Sequence, residues 1–310
     1  MSPVLRLAPS RSAARPGPGP LSQPLLRALD IELRRRIDGL LAGDYRASLL
    51  GSGTELAQVR RYEPGDDVRN LEWNVTARTG EPHVRVHVAE KALTTWLLLD
   101  VSPSMSFGTA DRRKADVAEG VALAIGHLST RRGNRVGLVP FGNPSLNPTP
   151  AIGGRAGMLG LLTALRAEPP AEGGGRTTLA EAFRRAAGIA RGRAAILVVS
   201  DFRGEDDWRR PLLQLTHRHE VVAVEIQDPR ELELPDVGDL WLVDPETGRQ
   251  VRADTRDRSL RERFSAAAAE EREGARMAIL GAGAHHVVLS TSGDWLRHFA
   301  AFLSQRRAFR

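Results

Sequence analysis

The chain has 310 residues, 41% hydrophobic and 26% charged, enough for one large or two modest domains with a real core. It contains no cysteine, which excludes disulfides and thiolate metal sites and fits a reducing compartment. The net charge is +6, and the 44 basic residues are all arginine except Lys91 and Lys114.

The basic residues are interleaved with acidic ones, and no compact basic block with aromatics occurs. Arginine-mediated binding to nucleic acid or to an anionic surface is therefore the alternative expectation, not the leading one. No run of 18 apolar residues is present, so no transmembrane helix is expected. The N-terminus lacks an apolar core followed by a small-residue cleavage site, and the two absences together predict a cytoplasmic protein.

Residues 1–24 are rich in Pro, Gly, Ser and Arg, have little to bury, and are expected to be a disordered tail. Leu26, Leu29, Leu33, Ile37 and Leu40 recur at three- and four-residue spacing, which predicts an amphipathic helix. Residues 44–90 are punctuated by Gly, Asp and Pro. Pro64-Gly65-Asp66 is turn chemistry, and Val84, Val86 and Val88 alternate with Arg85 and His87 as in a half-buried strand. Residues 25–92 thus form a helix and strand region of their own, in which Trp73 is expected to pack in the core. Asp66 or Asp67 is expected to cap a short helix, with Arg69 paired to either.

From residue 94 strands and helices alternate through to 305. Thr94 to Leu99 is a continuous apolar run ending at Asp100, and Ala194 to Ser200 is another ending at Asp201; both read as strands buried on two faces. Further strands are expected at 135–141, 221–226 and 286–289. Helices are expected at 112–132, 155–167, 179–191, 208–217, 258–280 and near the C-terminus, where Trp295, Phe299, Phe302 and Leu303 form the apolar face. Residues 228–256 interrupt the rhythm and read as an insertion, a β-hairpin turning at Glu246-Thr247-Gly248. The alternation predicts an α/β domain over 93–305 with a mainly parallel sheet covered on both faces.

In such sheets ligands bind beyond the carboxyl ends of the strands. Asp100 opens Asp100-Val101-Ser102-Pro103-Ser104, a D-x-S-x-S spacing that lets one carboxylate and two hydroxyls face a common point. A hard cation such as Mg²⁺ takes oxygen ligands in an octahedron near 2.1 Å. A threonine hydroxyl is available in the Gly-rich segment Gly174-Gly175-Arg176-Thr177-Thr178. Neutral hydroxyls leave the ion electrophilic enough to accept a carboxylate from another protein. By itself, D-x-S-x-S is also the pattern of a simple helix N-cap.

The order of these features resembles the metal-ion-dependent adhesion site of von Willebrand factor A domains. The resemblance implies a von Willebrand factor A-like fold with Asp100, Ser102, Ser104, Thr177 and Asp201 around one Mg²⁺ or Mn²⁺. Thr178 is the alternative to Thr177, because Arg176 stands where that family often has glycine. Residues 51–91 narrow the resemblance. Arg61-Tyr62-Glu63-Pro64-Gly65-Asp66-Asp67-Val68-Arg69, Trp73 and Thr76-Ala77-Arg78-Thr79 are similar to the bacterial family called domain of unknown function fifty-eight, as are Asp228 to Pro235 and Asp244 to Gly248.

That family is commonly encoded beside MoxR-type AAA+ ATPases. The resemblance implies a non-catalytic adaptor or co-chaperone that binds such an ATPase and its client through the metal. Arg61, Asp66, Asp67, Arg69 and Arg78 are candidates for contact with a partner. Other chemistries fit less well. A phosphatase of the dehalogenase type needs a second aspartate where Ser102 stands. No G-x-S-x-G elbow and no Walker A lysine is present, and the histidines at 217, 219, 285 and 286 lack a zinc motif.

Overall fold

The computed structural model describes residues 17, 50–88, 94–130, 134–142, 147–166, 178–204, 206–243 and 250–305. The expected tail, the first amphipathic helix, Thr177 and the hairpin turn at 246–248 lie outside them. The chain divides into two compact units, one holding the described residues 50–88 and the other those from 94 onward.

In the first unit, strand β1 (Leu50–Arg61) pairs antiparallel with β2 (His83–Val88), with irregular register near Glu55 and Gln58. Between them lie a single 3-10 turn, Val68–Asn70, and a short helix α1, Trp73–Thr79. Gly80 ends α1 in the left-handed conformation that a residue with a Cβ adopts only at a cost. Two expectations fail here. Trp73 is 69% exposed, because it is the first residue of a helix too short to turn a broad face inward. Arg69 pairs with neither aspartate. Asp66 is held by two hydrogen bonds from Arg60, at 2.8 and 2.6 Å, while Asp67 caps the 3-10 turn by accepting from the Arg69 backbone N–H.

In the second unit, six strands form a sheet in the order β10-β7-β6-β3-β4-β5. They are β3 (Thr94–Asp100), β4 (Arg135–Phe141), β5 (Thr149–Gly153), β6 (Ala195–Ser200), β7 (Glu220–Gln227) and β10 (His285–Ser290). All pairings are parallel except β4 with β5. A separate antiparallel pair, β8 (Asp239–Val243) with β9 (Gln250–Asp254), forms the expected hairpin strands. β5 was not legible beforehand. It is an edge strand, where Pro150 removes no hydrogen bond needed by a second neighbour.

The helices are α2 (Lys114–Thr130), α3 (Gly154–Arg166), α4 (Leu179–Ile189), α5 (Arg209–Thr216), α6 (Arg258–Gly281) and α7 (Trp295–Gln305). Side chains alternate along the strands, and both sets are buried. Trp96, Leu98, Ile196, Val198, Val221 and Ala223 pack with Phe183 and Ala186 of α4, Leu212 of α5 and Ile279 of α6. On the other face α2 packs against β3 and β4 and against α3 and α7. Leu97 and Leu98 are fully buried, as are Val121 and Ile125 of α2. Each such side chain stabilises the fold by about 1.5–3 kcal/mol. In α7, Trp295, Phe299 and Leu303 are buried as the spacing predicts, and Phe302 is half-buried.

Candidate functional site

The chain runs β3 to β4 on one side of β3, then returns through β5 to β6 on the other side. The sheet order therefore reverses at β3, and the carboxyl ends of β3 and β6 lie side by side, with Leu99 opposite Val199. A crevice at such a reversal is where an open α/β sheet binds ligands. Asp100 is the last residue of β3, and Asp201 follows the last residue of β6. Both are buried.

Asp100 is fixed at both oxygens. Oδ1 accepts the Ser102 backbone N–H at 2.9 Å, and Oδ2 accepts the Ser200 hydroxyl at 2.5 Å. Ser102 opens the 3-10 turn Pro103–Ser106, which brings the Ser102 and Ser104 hydroxyls to 3.0 Å from each other. Ser104 also hydrogen-bonds Asp201. Gly142, just past β4, passes directly over this loop with φ +87°; a Cβ there would lie 2.6 Å from the Ser102 backbone nitrogen.

Asp201 is held differently. Its Oδ2 accepts a 2.7 Å hydrogen bond from the Lys114 ammonium, and its Oδ1 accepts the Arg203 backbone N–H at 3.3 Å. Lys114 has no exposed surface and also donates to Glu231 at 2.6 Å. Arg203 approaches Glu231 at 3.5 Å. Phe202, beside Asp201, has φ +53° and packs edge-on against the buried Trp208, with centroids 5.7 Å apart. A non-glycine residue in that region stores strain, which the Phe202–Trp208 packing holds in place.

The charges are unevenly compensated. Burial, and next the Asp201 carboxylate, push the Asp100 carboxyl up to about 6, against hydrogen bonds from Ser102 and Ser200. Burial alone would also raise Asp201, but the Lys114 charge and hydrogen bond, with Ser104 and the Arg203 N–H, hold it below the ordinary value. Asp100 is thus the acid left without a cation.

The oxygen set at Asp100 suits a hard cation. Adjacent ligands of an octahedral Mg²⁺ lie about 3.0 Å apart, given bonds near 2.1 Å, which is the separation of the two serine hydroxyls. Among the described residues no group of three His, Asp or Glu side chains is arranged to hold a metal ion, so a metal here depends on hydroxyls. Thr178 caps α4 instead. Its hydroxyl accepts the Glu181 N–H at 3.2 Å in a capping box, so this alternative ligand already has a structural task.

The structure thus brings together Asp100, Ser102, Ser104 and Asp201. It adds Ser200, Lys114, Glu231 and Arg203, none of them expected as a site residue, although Glu231 lies in the Asp228 to Pro235 segment that carries the family resemblance. For Lys114 a signal existed, since it is one of two lysines in a chain of arginines. The five candidate partner residues lie in the first unit. Asp66 and Asp67 are occupied as described, and Arg61 pairs with Glu81 at 2.8 Å. Arg69 and Arg78 are exposed and carry no side-chain partner among the described residues.

Residues 58–274 match the family described as "Protein of unknown function DUF58". The chain is 41% identical over 282 residues to the uncharacterized protein Rv1480 of Mycobacterium tuberculosis, covering 91% of this chain and 89% of that one, and equally to the uncharacterized protein Mb1516 of Mycobacterium bovis. Among solved structures it is similar to the conserved hypothetical protein BatB from Bacteroides thetaiotaomicron (16% identity, 69% of this chain and 98% of that one, TM-score 0.44). It is also similar to a von Willebrand factor type A protein from Catenulispora acidiphila (15% identity, 46% of this chain and 35% of that one, TM-score 0.33). Among the described residues no helix is long and apolar enough to cross a membrane. The fold is an α/β domain with a mainly parallel sheet, and the match over residues 58–274 together with 41% identity across 91% of the chain makes it a member of the DUF58 family.

Proposed function

We propose that this protein is a metal-dependent protein-interaction module, an adaptor or co-chaperone that captures a partner carboxylate through a divalent cation held at Asp100, Ser102 and Ser104. The observation that carries the reading is the placement of one under-compensated buried carboxylate beside two hydroxyls 3.0 Å apart, at the point where the sheet order reverses. Mg²⁺ or Mn²⁺ would supply a Lewis-acidic centre with positions open to an outside oxygen. Thr177, which precedes α4 in the sequence, would join the set, and Asp201 would contribute through water. No reaction is assigned to the site. The partner class is a MoxR-type AAA+ ATPase with its client, and the reading assigns all three to the cytoplasm.

Arginine-mediated binding to nucleic acid has less support. Arg60, Arg61, Arg209, Arg252, Arg256, Arg258 and Arg276 are each paired with a carboxylate of the chain itself. The test is recovery of partners from native lysate by wild type and Asp100→Ala, each in Mg²⁺ and in EDTA. Capture of an AAA+ ATPase by wild type in Mg²⁺ alone supports the reading. Equal capture in all four conditions, or capture of nucleic acid alone with affinity falling steeply in salt, sinks it.

A further inference from the structure

Lys114 is the first residue of α2, where the unpaired N–H groups of a helix already present positive charge. A buried cation is disfavoured there twice, by lost hydration and by the helix end. It is held because two carboxylates meet it, Asp201 at 2.7 Å and Glu231 at 2.6 Å, from loops after β6 and β7. The two carboxylates leave Lys114 saturated with negative partners, whereas Asp100 has only hydrogen-bond donors.

We infer that Lys114 is a resident, covalently tethered cation that keeps Asp201 from coordinating the metal directly and leaves it only the water-mediated role, so that Asp100 is the one directly bound anion and the site's divalent affinity is set low by its own charge. This rests on the metal reading above and names how that site is regulated. Two carboxylates facing one divalent ion would neutralise it and leave little attraction for a third. With Asp201 engaged by Lys114, and Glu231 met in turn by Arg203 at 3.5 Å, a bound Mg²⁺ or Mn²⁺ keeps about one net positive charge after Asp100, and an incoming partner carboxylate completes the neutralisation. Metal and partner therefore bind each other's complex more tightly than either binds alone, a coupling that linkage makes reciprocal.

Lysine suits this task where arginine would not. Its ammonium is a compact point charge with three donors, and two of the three are accounted for by Asp201 and Glu231. In a chain whose other basic residues are arginine but for Lys91, the lysine stands where a planar five-donor group would leave buried N–H groups unpaired.

The test uses the full chain and Mn²⁺ alone as probe, followed by electron paramagnetic resonance of the free ion and by the thermal midpoint with and without metal. The proteins compared are wild type, Asp100→Asn, Asp201→Asn, Lys114→Met and Lys114→Met with Asp201→Asn. Asp100→Asn is expected to weaken Mn²⁺ binding by about tenfold or more, and Asp201→Asn by less than about threefold. Lys114→Met is expected to tighten it by about tenfold, and the double variant to return near wild type. If Lys114→Met folds only with Mn²⁺ present, that dependence is the same result read as a midpoint.

Mn²⁺ binding that is equal or weaker in Lys114→Met overturns the inference while leaving the metal reading intact. So does a loss in Asp201→Asn as large as that in Asp100→Asn, which needs no change at Lys114. Failure of every protein to bind Mn²⁺ overturns both.

Discussion

Gly142 and Ser102 touch backbone to backbone: a single added Cβ on the glycine would sit 2.6 Å from the Ser102 nitrogen and 2.9 Å from its Cα. The loop that aims the two serine hydroxyls is therefore pressed into place by the end of β4, 40 residues further along the chain. Gly142→Ala must also adopt φ +87°, at a cost of about 1–2 kcal/mol before any clash is counted. The expected result is a loss of at least about 2 kcal/mol in urea unfolding together with weakened Mn²⁺ binding. Unchanged binding would show that the loop holds its shape unaided.

Thr178→Ala removes the capping box at the start of α4. The expected cost is about 1 kcal/mol in stability, with Mn²⁺ binding preserved. A loss of metal binding with little loss of stability would instead make Thr178 a ligand.

Asp228 is expected to contribute to the acid limb of stability. It has no exposed surface and accepts hydrogen bonds from the Thr109 N–H and hydroxyl, the Thr291 hydroxyl and the Arg230 N–H. Burial would raise its carboxyl, but these donors outweigh burial and hold it below the ordinary carboxylate value. A depressed acid contributes stability that is present above its unfolded value, about 3.9, and lost as pH falls through the folded one. Asp228→Asn should lower stability at neutral pH by about 1–3 kcal/mol and flatten the decline below about pH 4. An unchanged acid limb in urea titrations would refute this.

His219 gives the opposite kind of group the same sign. Burial, then the nearby Arg218 and Arg193 charges, lower its value, which favours the neutral ring in the folded protein. Its contribution is present above the unfolded value near 6.5 and fades as pH falls below it. His219→Gln should reduce the slope of stability as pH falls below about 6.5. A slope identical to wild type would exclude it as a contributor.

Trp73→Ala should change stability by less than about 0.5 kcal/mol, since most of the ring faces solvent. If the same variant loses partner recovery, the ring belongs to a binding surface; a destabilisation of several kcal/mol would mean that it is buried in solution.

How much of this could be read beforehand depends on which physical signal each element carries. β3 and β6 were plain because continuous apolar runs bounded by aspartate have few other uses in a soluble α/β chain. Their ends brought Asp100, Ser102, Ser104 and Asp201 together without further information. β5 escaped because Thr149-Pro150-Ala151 has neither alternation nor an apolar run, and only its edge position makes it a strand. Trp73 misled because hydrophobicity says what a side chain prefers, while a two-turn helix limits what it can reach. Lys114, Ser200 and Glu231 escaped for a third reason. Pattern reading assigns polar residues to solvent, and only the meeting of loops 87 and 117 residues from Lys114 makes it a core residue.

The Asp228 carboxylate joins Thr109, which follows β3, to Thr291, which follows β10, across separations of 119 and 63 residues. Those hydrogen bonds exist only when β3, β7 and β10 have all taken their places in the sheet. Closures of that span are slow to form relative to neighbouring contacts. A chain in which any one of β3, β7 and β10 is out of place therefore lacks these hydrogen bonds, and the carboxyl edge of the sheet is tied together only by the assembled fold.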